Sequence, residues 1–179
     1  MAMEKYEGRC HCGRVKFTVN ADLINDRNGI CNCSNCTMRG FIHHQAEKSD
    51  FCLITGFDDL KLYKFGTLSA EHYFCKYCGV ESFYRSRSDP NMWDVNVRCL
   101  FKRDEKTGAL TKVDIYGLNY KLGDGEHWVE AQTARNNAEK AGKKFAATPF
   151  ALLVPIDDLK RRVNVADEFR KTWRPKSKQ

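Results

Sequence analysis

The alternation of apolar and polar residues over the first 130 positions predicts a sheet-rich structure. Residues 14–20 alternate with a period of two, which places Val15, Phe17 and Val19 on one face of a strand. Residues 51–55 and 60–65 show a similar pattern around a short turn, so together they predict a hairpin. Further short strand patterns lie at 73–74, 81–84, 93–97 and 112–116. Because no long helical period separates them, we predict a mainly β fold.

The pattern changes after about residue 130. Residues 127–144 are rich in Ala, Glu, Gln, Asn and Lys, and apolar residues recur every three or four positions in 157–173, so both stretches predict helices. We therefore divide the chain into a β-rich domain at 1–130 and a basic, helical C-terminal extension at 131–179. The apolar face of the extension is expected to pack on the domain.

The composition is that of an ordinary globular protein. Hydrophobic residues make up 42% and charged residues 30% of the 179 positions. No apolar run approaches the roughly 18 residues of a membrane span, and the first 12 residues lack the apolar core of a secretory signal. These features predict a soluble, cytoplasmic protein without a membrane partner, and they leave a nuclear location open.

The formal net charge of +7 is concentrated in the C-terminal extension. Residues 1–130 hold equal numbers of basic and acidic side chains, whereas residues 131–179 hold 12 basic and 5 acidic ones. Such a segment attracts nucleic acid or another polyanion in a salt-dependent way. An amphipathic helix packed on the domain explains the same residues more simply, so a non-catalytic module with a macromolecular partner is the alternative hypothesis.

The nine cysteines are the strongest chemical signal. An odd number cannot pair completely in disulfides, and clustered cysteines in an intracellular protein are more often metal ligands or reactive thiols. Seven of them form three groups, namely Cys10 and Cys12, then Cys31, Cys33 and Cys36, then Cys75 and Cys78. Thiolates one or two residues apart can occupy adjacent vertices of a zinc tetrahedron, and a glycine follows each of the two pairs.

The seven clustered cysteines suggest one site with four thiolates and one with three. The two pairs supply four ligands, which completes a structural zinc site, whereas the group of three leaves one position for water or substrate, as in catalytic sites. His43, His44 or His72 would instead complete the group of three as a second structural site. A redox or zinc-buffering cluster is a further alternative. Cys52 and Cys99 lie singly in apolar strand patterns and are expected to be packed side chains.

Three motifs resemble those of the glutathione-dependent formaldehyde-activating enzyme family, which includes centromere protein V (the GFA/CENP-V family). They are residues 8–13 (Gly-Arg-Cys-His-Cys-Gly), 31–36 (Cys-Asn-Cys-Ser-Asn-Cys) and 74–84, around the Cys-Lys-Tyr-Cys-Gly sequence. Residues 87–90 and 95–100 are similar to the centromere protein V branch. The likeness covers roughly residues 5–130. Many members have Arg directly after the third motif cysteine, whereas here Thr37 and Met38 precede Arg39.

The resemblance implies an Mss4-like β-sheet fold with short helices and two zinc ions (Zn²⁺) per chain. A structural zinc would bind Cys10, Cys12, Cys75 and Cys78, and a catalytic zinc would bind Cys31, Cys33 and Cys36. The implied activity is that of a carbon–sulfur lyase, an S-(hydroxymethyl)glutathione synthase acting on glutathione and formaldehyde.

Other side chains are candidates for the same reaction. Ser34 and Asn35, which lie between Cys33 and Cys36, can donate hydrogen bonds to sulfur or to a carbonyl oxygen. Arg39 and Arg98, with Arg85 as a further option, can bind the carboxylates of an anionic thiol. Trp93 and Tyr84 can line its pocket or fill the core. His43 and His44 are candidate proton carriers, although exposed loop histidines are the simpler expectation for both.

Overall fold

The computed structural model describes residues 3–25, 28–127 and 133 and confirms the mainly β fold. Its strands are β1 (Glu4–Arg9), β2 (Lys16–Ala21), β3 (Asn28–Cys31), β4 (Ile42–Glu47), β5 (Phe51–Thr55), β6 (Leu60–Tyr63), β7 (Glu71–Cys75), β8 (Glu81–Arg85), β9 (Met92–Asn96), β10 (Leu100–Arg103), β11 (Leu110–Lys112) and β12 (Lys121–Gly123). The helical elements between residues 3 and 127 are α1 (Ser34–Arg39) and 3₁₀ turns at Lys48–Asp50, Phe57–Asp59, Val97–Cys99 and Ile115–Gly117.

The described strands form two sheets. The first has the order β11-β10-β1-β2-β5 and is antiparallel throughout. The second has the order β12-β3-β4-β9-β8-β7-β6, and in it β12 runs parallel to β3 while the other pairs are antiparallel. The second sheet places the end of β3, and with it Cys31, beside the last described strand.

The predicted hairpin of residues 51–55 and 60–65 is wrong, although both strands exist. β5 pairs with β2 in the first sheet, whereas β6 pairs with β7 in the second, so the chain crosses between sheets at residues 56–59. Gly56 permits this crossing because it adopts a φ of 87° and lies so close to Arg14 that an added Cβ would be 2.6 Å from the Arg14 carbonyl oxygen.

The strand predicted at 112–116 is also displaced. β11 ends at Lys112, and residues 115–117 form a 3₁₀ turn instead. The turn forms because the side chain of Asp114 accepts a hydrogen bond from the backbone N–H of Tyr116 at 3.0 Å. Asp side chains commonly compete with strand pairing in this way.

Aromatic side chains from both sheets fill the core. Phe17 of the first sheet meets Phe83 of the second edge to face, with ring centroids 5.3 Å apart. Trp93 stacks on Phe51 at 4.8 Å and also contacts Phe83. The buried positions predicted on residues 14–20, Val15, Phe17 and Val19, all lie in this core.

The second sheet carries polar and aromatic residues on its other face. Successive strand residues point to opposite faces, so Tyr84 and Asp94 lie opposite their core neighbours Phe83 and Trp93. A separate buried cluster on this face contains Cys36 of α1 together with Phe41 and Tyr84. The candidate site is built on this face.

Apart from positions 127 and 133, the helices predicted at 127–144 and 157–173 lie outside the described residues, as does most of the basic extension. In the part of the chain that the structure covers, every helix is too short to cross a membrane.

Candidate metal centres

The two cysteine pairs come together in one group of four. Cys10 and Cys12 follow β1, whereas Cys75 ends β7 and Cys78 lies in the turn after it. The four Sγ atoms all lie within 4.8 Å of one another, with Cys10 and Cys12 at 3.5 Å and Cys12 and Cys75 at 3.7 Å. We call this group the tetrad.

The tetrad fits a tetrahedral metal ion. A tetrahedron whose metal–sulfur bonds are about 2.3 Å has edges of about 3.8 Å, close to the two measured sulfur distances. All nine cysteines of the chain are described, and all are free thiols, so no disulfide competes for these sulfur atoms. The tetrad can therefore hold a metal ion.

The glycine after each pair makes a tight turn. Gly13 has a φ of 78° and Gly79 a φ of 73°, both in the left-handed region that favours glycine. The resulting turns direct backbone amides toward sulfur, as shown by the Val15 N–H, which donates to Cys10 Sγ at 3.4 Å. Such amide donors stabilise thiolates and hence metal ligation.

The second group, which we call the trio, consists of Cys31, Cys33 and Cys36. Cys31 ends β3, Cys33 is the residue that caps the N-terminus of α1, and Cys36 lies within that helix. Their Sγ atoms also lie within 4.8 Å of one another. The Cys33 N–H donates to Cys31 Sγ and the Cys36 N–H to Cys33 Sγ, each at 3.5 Å.

The thiols of the trio cannot all ionise by themselves. Hydrogen bonds from Cys31 and Cys36 lower the pKa of Cys33, whereas the contact with Cys33 raises the pKa of Cys31, and the contacts with Cys31 and Cys33 raise that of Cys36. Ionisation of one thiol thus opposes ionisation of the others, because like charges this close repel. A divalent cation would remove this conflict, so the donor set of the trio suits a metal ion.

No histidine of the described residues shares the cluster of the trio, so the geometry does not support the alternative of an imidazole as fourth ligand. His43 and His44 are buried on β4, which makes the expectation of exposed loop histidines wrong. His44 Nδ1 lies 3.0 Å from Asn28 Oδ1, and His43 Nδ1 lies 3.3 Å from Asp94 Oδ1. β4 is an inner strand between β3 and β9, so neither histidine lies at an edge of the sheet.

Tyr84 packs against the buried side of the trio. Its ring packs with Cys36 and meets Phe41 edge to face at 5.3 Å, and its hydroxyl lies 3.3 Å from His43 Nδ1. Burial raises the pKa of Tyr84 well above its usual value, so the hydroxyl stays protonated. Sequence reasoning left the choice between pocket and core open for this residue.

A second polar network surrounds Asn35. Arg39 Nε donates to Asn35 Oδ1 at 2.9 Å, and the Arg39 guanidinium pairs with the buried carboxylate of Glu81. Glu81 Oε1 lies 2.8 Å from His72 Nδ1. His72 stacks on Tyr84 with centroids 4.8 Å apart, and its Nε2 is buried without a hydrogen-bond partner among the described residues.

Some of the remaining predicted substrate residues lie beside the trio, whereas others do not. Ser34 is exposed at the start of α1, and Asn35 and Arg39 lie on the same helix beside the trio. Arg98 donates from Nε to the Gly40 carbonyl at 2.9 Å, at the end of α1. Trp93 lies in the aromatic core, on the opposite face of the sheet from Asp94, so the structure does not bring it to the trio.

Of the two single cysteines, Cys99 is buried as expected, and burial raises the pKa of its thiol to about 11. Cys52 is exposed on β5, which pairs only on its β2 side in the described sheet, so the expectation that it is packed is wrong. The side chain of Arg85, a candidate for anion binding, is occupied by Glu71 and the Pro90 carbonyl.

Arg87 is a residue that the motif analysis did not select as a site. Its guanidinium interacts electrostatically with Cys33, although the two residues are 54 positions apart in the sequence. The loop after β8 places Arg87 within electrostatic range of Cys33, and only sheet pairing determines that placement. No local sequence signal would have selected this arginine over Arg85.

The fold and the two cysteine groups place the chain among mainly β proteins whose clustered thiols can hold metal ions. The family model of the glutathione-dependent formaldehyde-activating enzyme matches residues 5–116, well over half of the chain, so the protein belongs to that family. A crystal structure of a Rhodobacter sphaeroides protein is 38% identical; the match covers 56% of this chain and 92% of that one, with a TM-score of 0.49.

Proposed function

We propose that this protein is a zinc-dependent carbon–sulfur lyase that adds a glutathione-like thiol to a small carbonyl such as formaldehyde, or catalyses the reverse. The observation that carries the proposal is the trio, where three thiols cluster and no fourth His, Cys, Asp or Glu of the described residues joins them. Family membership supports the same chemistry at a coarser level.

Zinc is the metal that the donor sets favour. Both groups consist of thiols alone, and closely spaced thiolates in a tetrahedral arrangement select zinc among the common divalent ions. We assign the structural ion to the tetrad and the catalytic ion to the trio. A zinc ion at the trio would accept a thiol as its fourth ligand and keep that thiol deprotonated at neutral pH.

The three thiolates also select the type of nucleophile. Three thiolates and one divalent cation have a net charge of −1. A metal ion held this way would lower the pKa of a bound water less than one held by three neutral imidazoles. A soft thiol therefore suits this site better than hydroxide does. This preference favours addition of sulfur over hydrolysis.

The proposed reaction balances without an oxidant or reductant. The S–H bond of the thiol breaks, a C–S bond forms to the carbonyl carbon, and the proton ends on the carbonyl oxygen. Tyr84 and Phe41 line the buried side of the trio and would exclude water from it.

Asn35 is the side chain best placed to stabilise the developing oxygen charge. Glu81 accepts a hydrogen bond from His72 Nδ1, so this nitrogen carries its hydrogen and cannot also accept from Asn35 Nδ2, 3.4 Å away. The amide hydrogens of Asn35 are therefore available to a substrate, while Arg39 fixes the orientation of the amide through Oδ1. Ser34 is a second candidate donor.

The proposal is tested by mixing the zinc-loaded protein with glutathione and formaldehyde and measuring formation of the adduct by exchange NMR. We expect catalysis above the uncatalysed rate for the wild type, loss of it in Cys33→Ser, and retention in Cys52→Ser. Cys52 is the matched control because it is an exposed thiol away from both groups. Background rates in all three proteins would exclude this substrate pair.

A further inference from the structure

The segment after residue 116 lies beyond the region matched by the family model, yet it contacts the trio. β12 runs parallel to β3 in a register that pairs Leu122 with Ile30 and Gly123 with Cys31. Because both strands advance in the same direction, residues 124–126 continue alongside residues 32–33, between the first two thiols of the trio.

Asn32 holds this segment in place. Its backbone N–H donates to the Gly123 carbonyl at 3.1 Å, and its Nδ2 donates to Asp124 Oδ1 at 2.9 Å. Its Oδ1 accepts from the N–H groups of Gly125 at 2.7 Å and Glu126 at 3.0 Å. Asn32, which lies between Cys31 and Cys33 in the chain, thus binds the segment through both the NH₂ group and the oxygen of its side-chain amide.

Gly125 lies directly against the trio. A Cβ added to this residue would be 2.4 Å from Cys31 Sγ and 2.9 Å from Cys33 Cβ, distances that real side chains do not adopt. Its φ is outside the left-handed region, so the requirement here is for space and not for an unusual backbone conformation. The backbone at Gly125 therefore approaches Cys31 as closely as a glycine allows.

We propose that residues 124–126, held by Asn32, form a positioning wall that fixes the thiols of Cys31 and Cys33 for metal binding. This inference rests on the proposed function, in which the trio holds a metal ion. A site with only three protein ligands on a strand end and a six-residue helix depends strongly on such support, and loss of outer partners typically costs 10–100-fold in metal affinity.

The wall is tested with two glycine variants in the full-length protein. Gly125→Ala should weaken binding of zinc, or of cobalt(II) as a spectroscopic probe, at the trio by roughly 10–100-fold, while the tetrad stays loaded. Gly123→Ala is the matched control, because the nearest contact of its added Cβ would be the Ile30 carbonyl oxygen at an ordinary 3.9 Å. It should bind two metal ions as tightly as the wild type.

Asn32 provides a second, independent test. Asn32→Ala should weaken the trio in the same way, because all three side-chain hydrogen bonds are lost. The double variant Asn32→Asp/Asp124→Asn keeps the net charge and exchanges donor and acceptor across the 2.9 Å contact. It should restore an affinity close to that of the wild type.

The outcomes separate the two proposals. Wild-type protein with one metal ion per chain, at the tetrad alone, would overturn both the proposed function and the wall. Two metal ions in the wild type with unchanged affinity in Gly125→Ala and Asn32→Ala would overturn the wall alone. If Gly125→Ala loses both ions through misfolding, the comparison of Asn32→Ala with the exchanged pair decides the question.

Discussion

At the scale of single residues, the chemistry depends on which charge or hydrogen-bond partner each polar group already has. Arg39 lies on α1 beside the trio, and its charge is balanced by the buried carboxylate of Glu81. Asn35 has its oxygen fixed by Arg39, while its amide hydrogens face a ring nitrogen that already donates to Glu81. Charge and hydrogen-bond polarity therefore assign different roles to neighbouring side chains.

Asn35→Asp tests the donor role with little change of shape. The carboxylate still accepts from Arg39 Nε but has no hydrogen to donate, so we expect kcat to fall by roughly 10²-fold, as for loss of an oxyanion donor. The assay is adduct formation from glutathione and formaldehyde, with metal content measured in parallel. Full activity with two metal ions bound would show that Asn35 has no such role.

At the scale of elements, strand pairing controls which residues meet. Phe17 of β2 lies over Gly8 of β1, its cross-strand partner, so closely that a Cβ on Gly8 would be 2.0 Å from the end of the Phe17 ring. The ring cannot move aside, because it is fully buried and packs against Phe51 and Phe83. A glycine within a strand is thus required by the core.

Gly8→Ala should therefore lower the free energy of unfolding by about 1–3 kcal/mol, the usual cost of overpacking a core. Gly29→Ala serves as the control in another strand, because its added Cβ would meet its nearest neighbour, the Lys121 carbonyl oxygen, at an ordinary 3.5 Å. Urea denaturation of both variants provides the measurement. Equal stabilities would mean that the Phe17 ring finds another position.

At the scale of the whole molecule, the tetrad joins distant parts of the chain. Cys12 and Cys75 are 63 positions apart. Cys12 follows a strand of the first sheet, whereas Cys75 ends a strand of the second. A structural zinc contributes roughly 10–16 kcal/mol of apparent binding free energy when its site forms only on folding. This energy is comparable to the entire net stability of a typical domain, about 5–15 kcal/mol.

Cys78→Ser should consequently unfold the β-rich domain, and removal of metal from the wild type by a strong chelator should have the same effect. Circular dichroism during heating measures both, with Cys52→Ser as the control that keeps the wild-type transition. A cooperative melt of Cys78→Ser at the wild-type temperature would show that the sheets hold without the tetrad.

Local patterns in the sequence were sufficient for several features. Period-two alternation identified the strands around residues 16–21 and 51–55, because a half-buried strand places every second residue in the core. The cysteine spacings identified the two pairs and the trio, because thiols with only one or two residues between them can bind the same ion. These properties depend on contacts within a single element or turn.

Only the tertiary structure decided the rest. The chain crossing at Gly56, the burial of His43 and His44, the approach of Arg87 to Cys33 and the contact of Gly125 with Cys31 all join residues from separate elements. Each depends on which strands pair and in which register, and a change of one residue in register would move every side chain of a strand to the other face. Long-range pairing energy determines that choice, so it leaves no signature in any short stretch of sequence.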